Sequence, residues 1–139
     1  MNWQAREAER WLTQALRDLE AAQKLLHQKE YNWVCFIAQQ AAEKAVKAVH
    51  LARGESVERI HSIFALIKGD QRAGVSAISQ LSTLVEQARS LDKTYIPTRY
   101  PNGVPFGIPA DFYSRENGEE CIACAKEIIE AVRGILTST

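Results

Sequence analysis

Residues 31–53 read YNWVCFIAQQAAEKAVKAVHLAR, and the patterning of this run decides the architecture. VCFIA (34–38) is apolar all round, so that part of a helix has to be covered on every side. From Gln39 onward a polar stripe opens, made of Gln39, Gln40, Glu43, Lys44, Lys47 and His50, while Ala38, Ala41, Ala45 and Val49 keep the other side small and apolar. Small side chains let neighbouring helices approach closely. The run therefore predicts the central helix of a bundle, ended by Gly54 as the residue after its C-cap.

Working outward, residues 3–28 carry Ala8, Leu12, Ala15, Leu19, Ala22 and Leu26 at steps of 4, 3, 4, 3, 4, which is a helical seam. Trp11 and Leu25 widen it into a core-facing stripe. After Gly54, a short helix is predicted from Ser56, with Ile60, Ile63, Phe64 and Ile67 on one side and KGD (68–70) ending it. A fourth follows Gly74, with Ile78, Leu81, Val85 and Ala88 at helical spacing, and finishes near Lys93. The last spans about 116–136, where Cys121, Ala125, Ile128, Val132 and Ile135 repeat the seam. No apolar/polar alternation bounded by turn signals occurs. The expectation is an all-α, up-and-down antiparallel bundle of four to five helices forming a single domain over residues 1–139.

All four prolines, at 97, 101, 105 and 109, fall within PTRYPNGVPFGIP (97–109), with Gly103 and Gly107 between them. Proline lacks a backbone donor and clashes with the preceding turn, so this segment cannot be helix. It is a long loop before the final helix, and Tyr95, Tyr100, Phe106, Ile108, Phe112 and Tyr113 give it apolar mass that needs covering. It reads as a pre-stiffened strap across the bundle. Arg99, Asp111 and Arg115 lie among its rings; a guanidinium fork suits phosphates and a ring face suits a base. The plainer alternative is that Tyr100, Pro101 and Phe106 pack over the core while Arg99 pairs with a helix carboxylate.

Seventeen basic and seventeen acidic residues cancel, so no global positive field attracts nucleic acid. The N-terminus, MNWQAREAERW, lacks an apolar signal core, and no window is apolar enough to span a membrane. Three cysteines form no even disulfide framework. The expectation is a cytoplasmic protein with reduced thiols. Cys121 and Cys124 make a C-x-x-C inside a helical pattern, with no second pair, and read as small core residues together with Cys35. Phosphate-loop, dinucleotide-fold and H-E-x-x-H motifs are absent from the sequence; no metal and no cofactor is expected.

AERWLTQALRDLEAAQKLL, then YNWVCFIAQQAAEKAVKAV, then IHSIFALI, and late in the chain TRYPNGVPFGIPADFYSRE form a specific combination. It resembles the HEPN family, named for higher eukaryotes and prokaryotes nucleotide-binding, along essentially the whole chain, with CFIAQQAAEKAVKA and the RYP segment as the diagnostic parts. The similarity extends to the member at the C-terminus of sacsin; the chain length and the initiator Met fit a stand-alone prokaryotic version. The resemblance implies a helical bundle forming a two-fold homodimer, binding of a nucleotide such as ATP or GTP in some members, and partnership with a minimal nucleotidyltransferase. A large branch of the family consists of ribonucleases, often toxins, with an Arg followed four to six residues later by His near the start of the last helix.

That motif is missing here. His27, His50 and His61 have no Arg at the required distance, and Arg115, the position most like the catalytic Arg, is followed by ENGEECI. Glu119 and Glu120 do not titrate near neutrality without a large shift, so RNA is not the expected ligand. The expected function is a nucleotide-binding or nucleotidyltransferase-partner module without its own catalytic centre. Lys44, Lys47, Arg99 and Arg115 would meet phosphates or an acidic partner, with Asp111 on the same strap and Tyr100 and Tyr113 as stacking or packing groups. The alternative is an RNA-cleaving toxin with an atypical site around Arg115 and Glu119. For the Gln39–Lys47 stripe, the competing readings are a solvated face or a polar seam between protomers. His61, two residues after Arg59, reads as a structural hydrogen-bonding residue.

Overall fold

The computed structural model describes residues 2–138. Five α-helices follow in order: α1 (Trp3–His27), α2 (Tyr31–Ala52), α3 (Ile63–Lys68), α4 (Val85–Asp92) and α5 (Arg115–Thr137). Among the described residues the only strand-like feature is an isolated antiparallel bridge between Asp70 and Val75. α2 lies at the centre, packed along α1 on one side and α5 on another, with α3 and α4 closing a third. It is the central helix its sequence predicts.

Alanines make the close approach. Ala15 and Ala22 of α1 and Ala38, Ala41, Ala42, Ala45 and Ala48 of α2 are fully buried. Gly118 does the same for α5: a β-carbon there would come within 3.0 Å of Leu26 and 3.3 Å of Val34. α1 begins on the Asn2 carboxamide, which accepts the Ala5 N–H at 2.8 Å. α5 begins on a reciprocal cap in which the Ser114 hydroxyl accepts from the Asn117 N–H while the Asn117 amide oxygen accepts from the Ser114 N–H.

The two short helices differ from the sequence expectation. α3 starts at Ile63 rather than Ser56, and residues 55–62 form an irregular link. The start is set by Asp92, at the end of α4. Its carboxylate accepts from the Ser62 hydroxyl at 2.8 Å, the Ile63 N–H at 2.9 Å and the Phe64 N–H at 3.0 Å, while Ser62 itself caps Ala65. A carboxylate at a helix N-terminus satisfies orphan donors and complements the dipole. The fourth helix is also shorter than its periodicity indicates, because Ser79–Leu84 winds as a 3-10 turn and α geometry begins at Val85. Before it the chain turns at Gly69, whose φ is 89° and where a β-carbon would meet the Ala77 nitrogen at 2.7 Å; only glycine fits there.

Candidate functional site

Four members of the α2 polar stripe are neither on a solvated face nor at a seam open to another protomer. Gln39, Glu43, Lys47 and His50 are 0 to 3 % exposed, sealed under the 55–62 link and the α3–α4 layer. Each has partners. The Lys47 ammonium donates to Glu43 at 3.0 Å and to the Glu58 carbonyl at 3.2 Å, and it stands 5.8 Å from the centre of the Trp11 ring. Gln39 donates to the His61 carbonyl at 3.2 Å. His50 meets Glu55 through Nδ1 at 2.9 Å and donates from Nε2 to the Leu66 carbonyl at 2.7 Å. Among the described residues no buried side-chain polar atom lacks a partner. Lys47 is thus an interior charge, and its ammonium does not reach solvent.

Lys44, one turn earlier on the more open side of α2, pairs with Asp18 at 2.6 Å. It borders a groove of about 710 Å³ together with Arg10, Trp11 and Gln14 of α1 and does not share the strap. Asp111 shapes the strap from within. Its carboxylate accepts the Ile108 N–H at 3.1 Å and sits against Gly107, whose φ is 67°. Tyr113 borders a crevice of about 150 Å³ shared with Cys35, Cys121 and Cys124; burial, and then Cys35 and Cys121, push its phenol upward. Burial holds Cys124 up at about 11. Hydrogen bonding to Cys35 and burial raise Cys121 further. These are inert thiols in the core. Arg115 is exposed on the first turn of α5, 5.7 Å from the Tyr31 ring.

Arg99 and Tyr100 do come together, and they bring unexpected company. The strap is pinned across the first turns of α2: the Asn32 amide donates to the Thr98 carbonyl at 3.0 Å, and the Thr94 hydroxyl lies 3.4 Å from the Cys35 carbonyl. Thr98 and Thr94 are buried, so the turn between them is fixed. Arg99 Nε donates back to the Tyr95 carbonyl at 2.8 Å, and the guanidinium carbon lies 4.4 Å from the Tyr95 ring, 4.6 Å from Phe36 and 5.0 Å from Tyr100. Among the described residues Arg99 forms no ion pair with a carboxylate. The plainer expectation for this residue therefore does not hold. Tyr100 is 49 % exposed, and Trp33, edge-on to Phe36 at 6.0 Å, also faces out.

His61 completes the platform. Its ring stacks on Tyr95 with centroids 5.6 Å apart and planes 13° from parallel. Nδ1 points at the buried Glu43 carboxylate, 3.3 Å away, while half of the side chain stays open to solvent. Spacing along the chain could not reveal this, because His61, Glu43 and Tyr95 come from three elements. The one local signal was Tyr95 and Arg99, four residues apart.

The comparisons with known proteins agree with this architecture. A family model described as HEPN domain matches residues 8–135. The protein MJ1304 of Methanocaldococcus jannaschii, named as a candidate toxin, is 30 % identical over 134 residues, covering 93 % of this chain and 88 % of its own. Human sacsin is 32 % identical over 126 residues, which cover 85 % of this chain but 3 % of sacsin. Among solved structures, TT1696 from Thermus thermophilus superposes with a TM-score of 0.79 at 43 % identity, covering 92 % of this chain and 97 % of that one. ST0689, described as an archaeal HEPN homologue, gives 0.75 at 35 % identity, covering 94 % and 98 %. With the helical bundle, the diagnostic α2 run and the whole-length match in place, this chain belongs to the HEPN domain family.

Proposed function

We propose that this HEPN domain is a binding module that takes a nucleotide such as ATP or GTP on the Arg99 platform, and works as a homodimer beside a minimal nucleotidyltransferase. The observation that carries the nucleotide half is Arg99. A guanidinium held by three rings and no carboxylate keeps its outer N–H groups for an anion, and the exposed ring of Tyr100 suits a base. Arg115 adds a second exposed cation on the following helix. Lys47 has no part in the site, and Lys44 belongs to a separate groove. The partner half rests on the family alone.

Calorimetry with ATP and GTP tests the ligand. Binding at micromolar to millimolar concentration that weakens at least tenfold in Arg99→Ala is the expected result; silence at millimolar concentration removes the reading. Light scattering tests the dimer, and a 15.6 kDa particle at micromolar concentration removes it. A second reading, an RNA-cleaving toxin, draws on the candidate-toxin name of MJ1304. It requires growth arrest on expression and metal-independent RNA cleavage abolished by Arg115→Ala; RNA left intact on prolonged incubation retires it.

A further inference from the structure

We propose that His61 is the specificity-determining residue of the platform: its Nε2 accepts a hydrogen bond from a ribose hydroxyl, so that the site takes ribonucleotides in preference to dideoxyribonucleotides. This rests on the nucleotide reading of the Arg99 platform.

The argument starts from which ring nitrogen carries the proton. Glu43 is 3 % exposed, and its Oε2 already receives the Lys47 ammonium, so it stands there as a carboxylate and can only accept. The contact from His61 Nδ1 to the same oxygen, at 3.3 Å, therefore needs a proton on Nδ1. In the neutral imidazole the other nitrogen, Nε2, is then an acceptor. No described residue hydrogen-bonds Nε2, and half the side chain is open to solvent.

The ring cannot easily turn away. Tyr95 stacks on its face, Glu43 holds Nδ1, and the backbone carbonyl of His61 is held by Gln39. Glu43 is itself fixed by Lys47 and lies one helical turn from Gln39, whose amide nitrogen is 3.4 Å from its other oxygen. The outward acceptor is thus pre-organised by a buried, fully partnered network.

The same Tyr95 ring carries Arg99, so a donor and an acceptor both adjoin one ring. Arg99 offers only N–H donors and selects phosphate; His61 offers an acceptor and selects a donor. In a nucleotide the phosphate oxygens and the furanose ring oxygen only accept. The donors are the exocyclic amines and ring N–H groups, which differ from base to base, and the ribose hydroxyls, which every ribonucleotide has and which sit on C3′ and C2′, closer along the chain to the phosphate-bearing C5′ than the base donors are. A phosphate anchored on Arg99 brings the sugar before the base to a group on the adjoining ring. The matching ligand is one with an intact ribose diol.

The test is calorimetry at pH 8, where an ordinary imidazole is neutral, comparing ATP with 2′,3′-dideoxy-ATP, and the corresponding guanine pair. The expected result is tighter binding of the ribonucleotide by about fivefold to tenfold, the size of one net hydrogen bond. His61→Phe keeps a ring on Tyr95, and is expected to bind both members of a pair equally, at the dideoxy level. Wild-type protein that binds both equally, or a phenylalanine variant that keeps the preference, overturns the assignment while leaving the Arg99 platform standing. No binding of any of the four nucleotides overturns both. Nitrogen–proton NMR of the free protein gives a ligand-independent arm: a proton on Nδ1 supports the proposal, and a proton on Nε2 overturns it.

Discussion

Two polar regions of this chain look alike in sequence and are opposites in the structure. The Gln39–His50 stripe and the strap around Arg99 both mix cations with apolar neighbours. In the first, Gln39, Glu43, Lys47 and His50 are shut inside the bundle with every charge answered: Lys47 by Glu43, Glu43 by His61 and Gln39, His50 by Glu55 and the Leu66 carbonyl. The second is nearer the surface, where the partly buried Arg99 is held by three rings and, among the described residues, by no carboxylate. A buried charge must find an internal counter-charge or it destabilises the fold. A partly buried guanidinium on aromatic faces is tolerated without one. The interior network builds the scaffold, and His61 is where it touches the platform.

The most severe way to break this contrast is to leave an interior charge alone. Glu43→Ala strands Lys47 at 2 % exposure, and should cost about 3–5 kcal/mol, read as a lower midpoint in urea or heat. A gentle effect there would mean that Lys47 escapes to water, and that the two regions are not different in kind. Asp92→Ala removes three acceptor contacts at the start of α3 and should cost about 2–3 kcal/mol, with faster amide exchange at Ile63 and Phe64. Arg99→Ala, by contrast, should cost roughly 1 kcal/mol or less in stability, and show its effect in ligand binding instead.

The smallest effect is a pH dependence. Burial pulls the Glu55 carboxyl upward, but hydrogen bonds from Ser76 and His50 outweigh it and hold the group below its usual range. A carboxylate with a depressed folded value stabilises the protein above the ordinary carboxylate range, and loses that contribution as pH falls through the depressed value. Glu55→Gln should therefore flatten the acid side of the stability profile, measured by urea denaturation across acidic pH. An unchanged slope would detach Glu55 from the interior network.

How much of this could be read beforehand follows from the range of the forces involved. α1, α2 and α5 are long, and their seams repeat over many turns, so periodicity placed them within about a residue or two. α3 could not be placed, because its first turn is set by Asp92, thirty residues downstream, and a link such as 55–62 has no period to read. The same link hides the α2 stripe; a helix face alone does not tell whether an irregular segment will cover it. That the strap forms no α-helix was legible from its prolines, although Pro101–Gly103 and Pro109–Phe112 wind as short 3-10 turns, and Arg99 with Tyr100 was legible from their neighbourhood. His61 was not, since the residues that orient it, Glu43 and Tyr95, converge only in three dimensions.

The strap's attachment has an engineering consequence. Asn32 grips it at Thr98 and the Ser114–Asn117 cap closes it at α5, while between these clasps Phe106 is 84 % exposed and Asp111 folds its own short turn. The tip is thus a cassette: residues 104–106 can be swapped or lengthened to recruit a new contact, with the helices beneath left as they are.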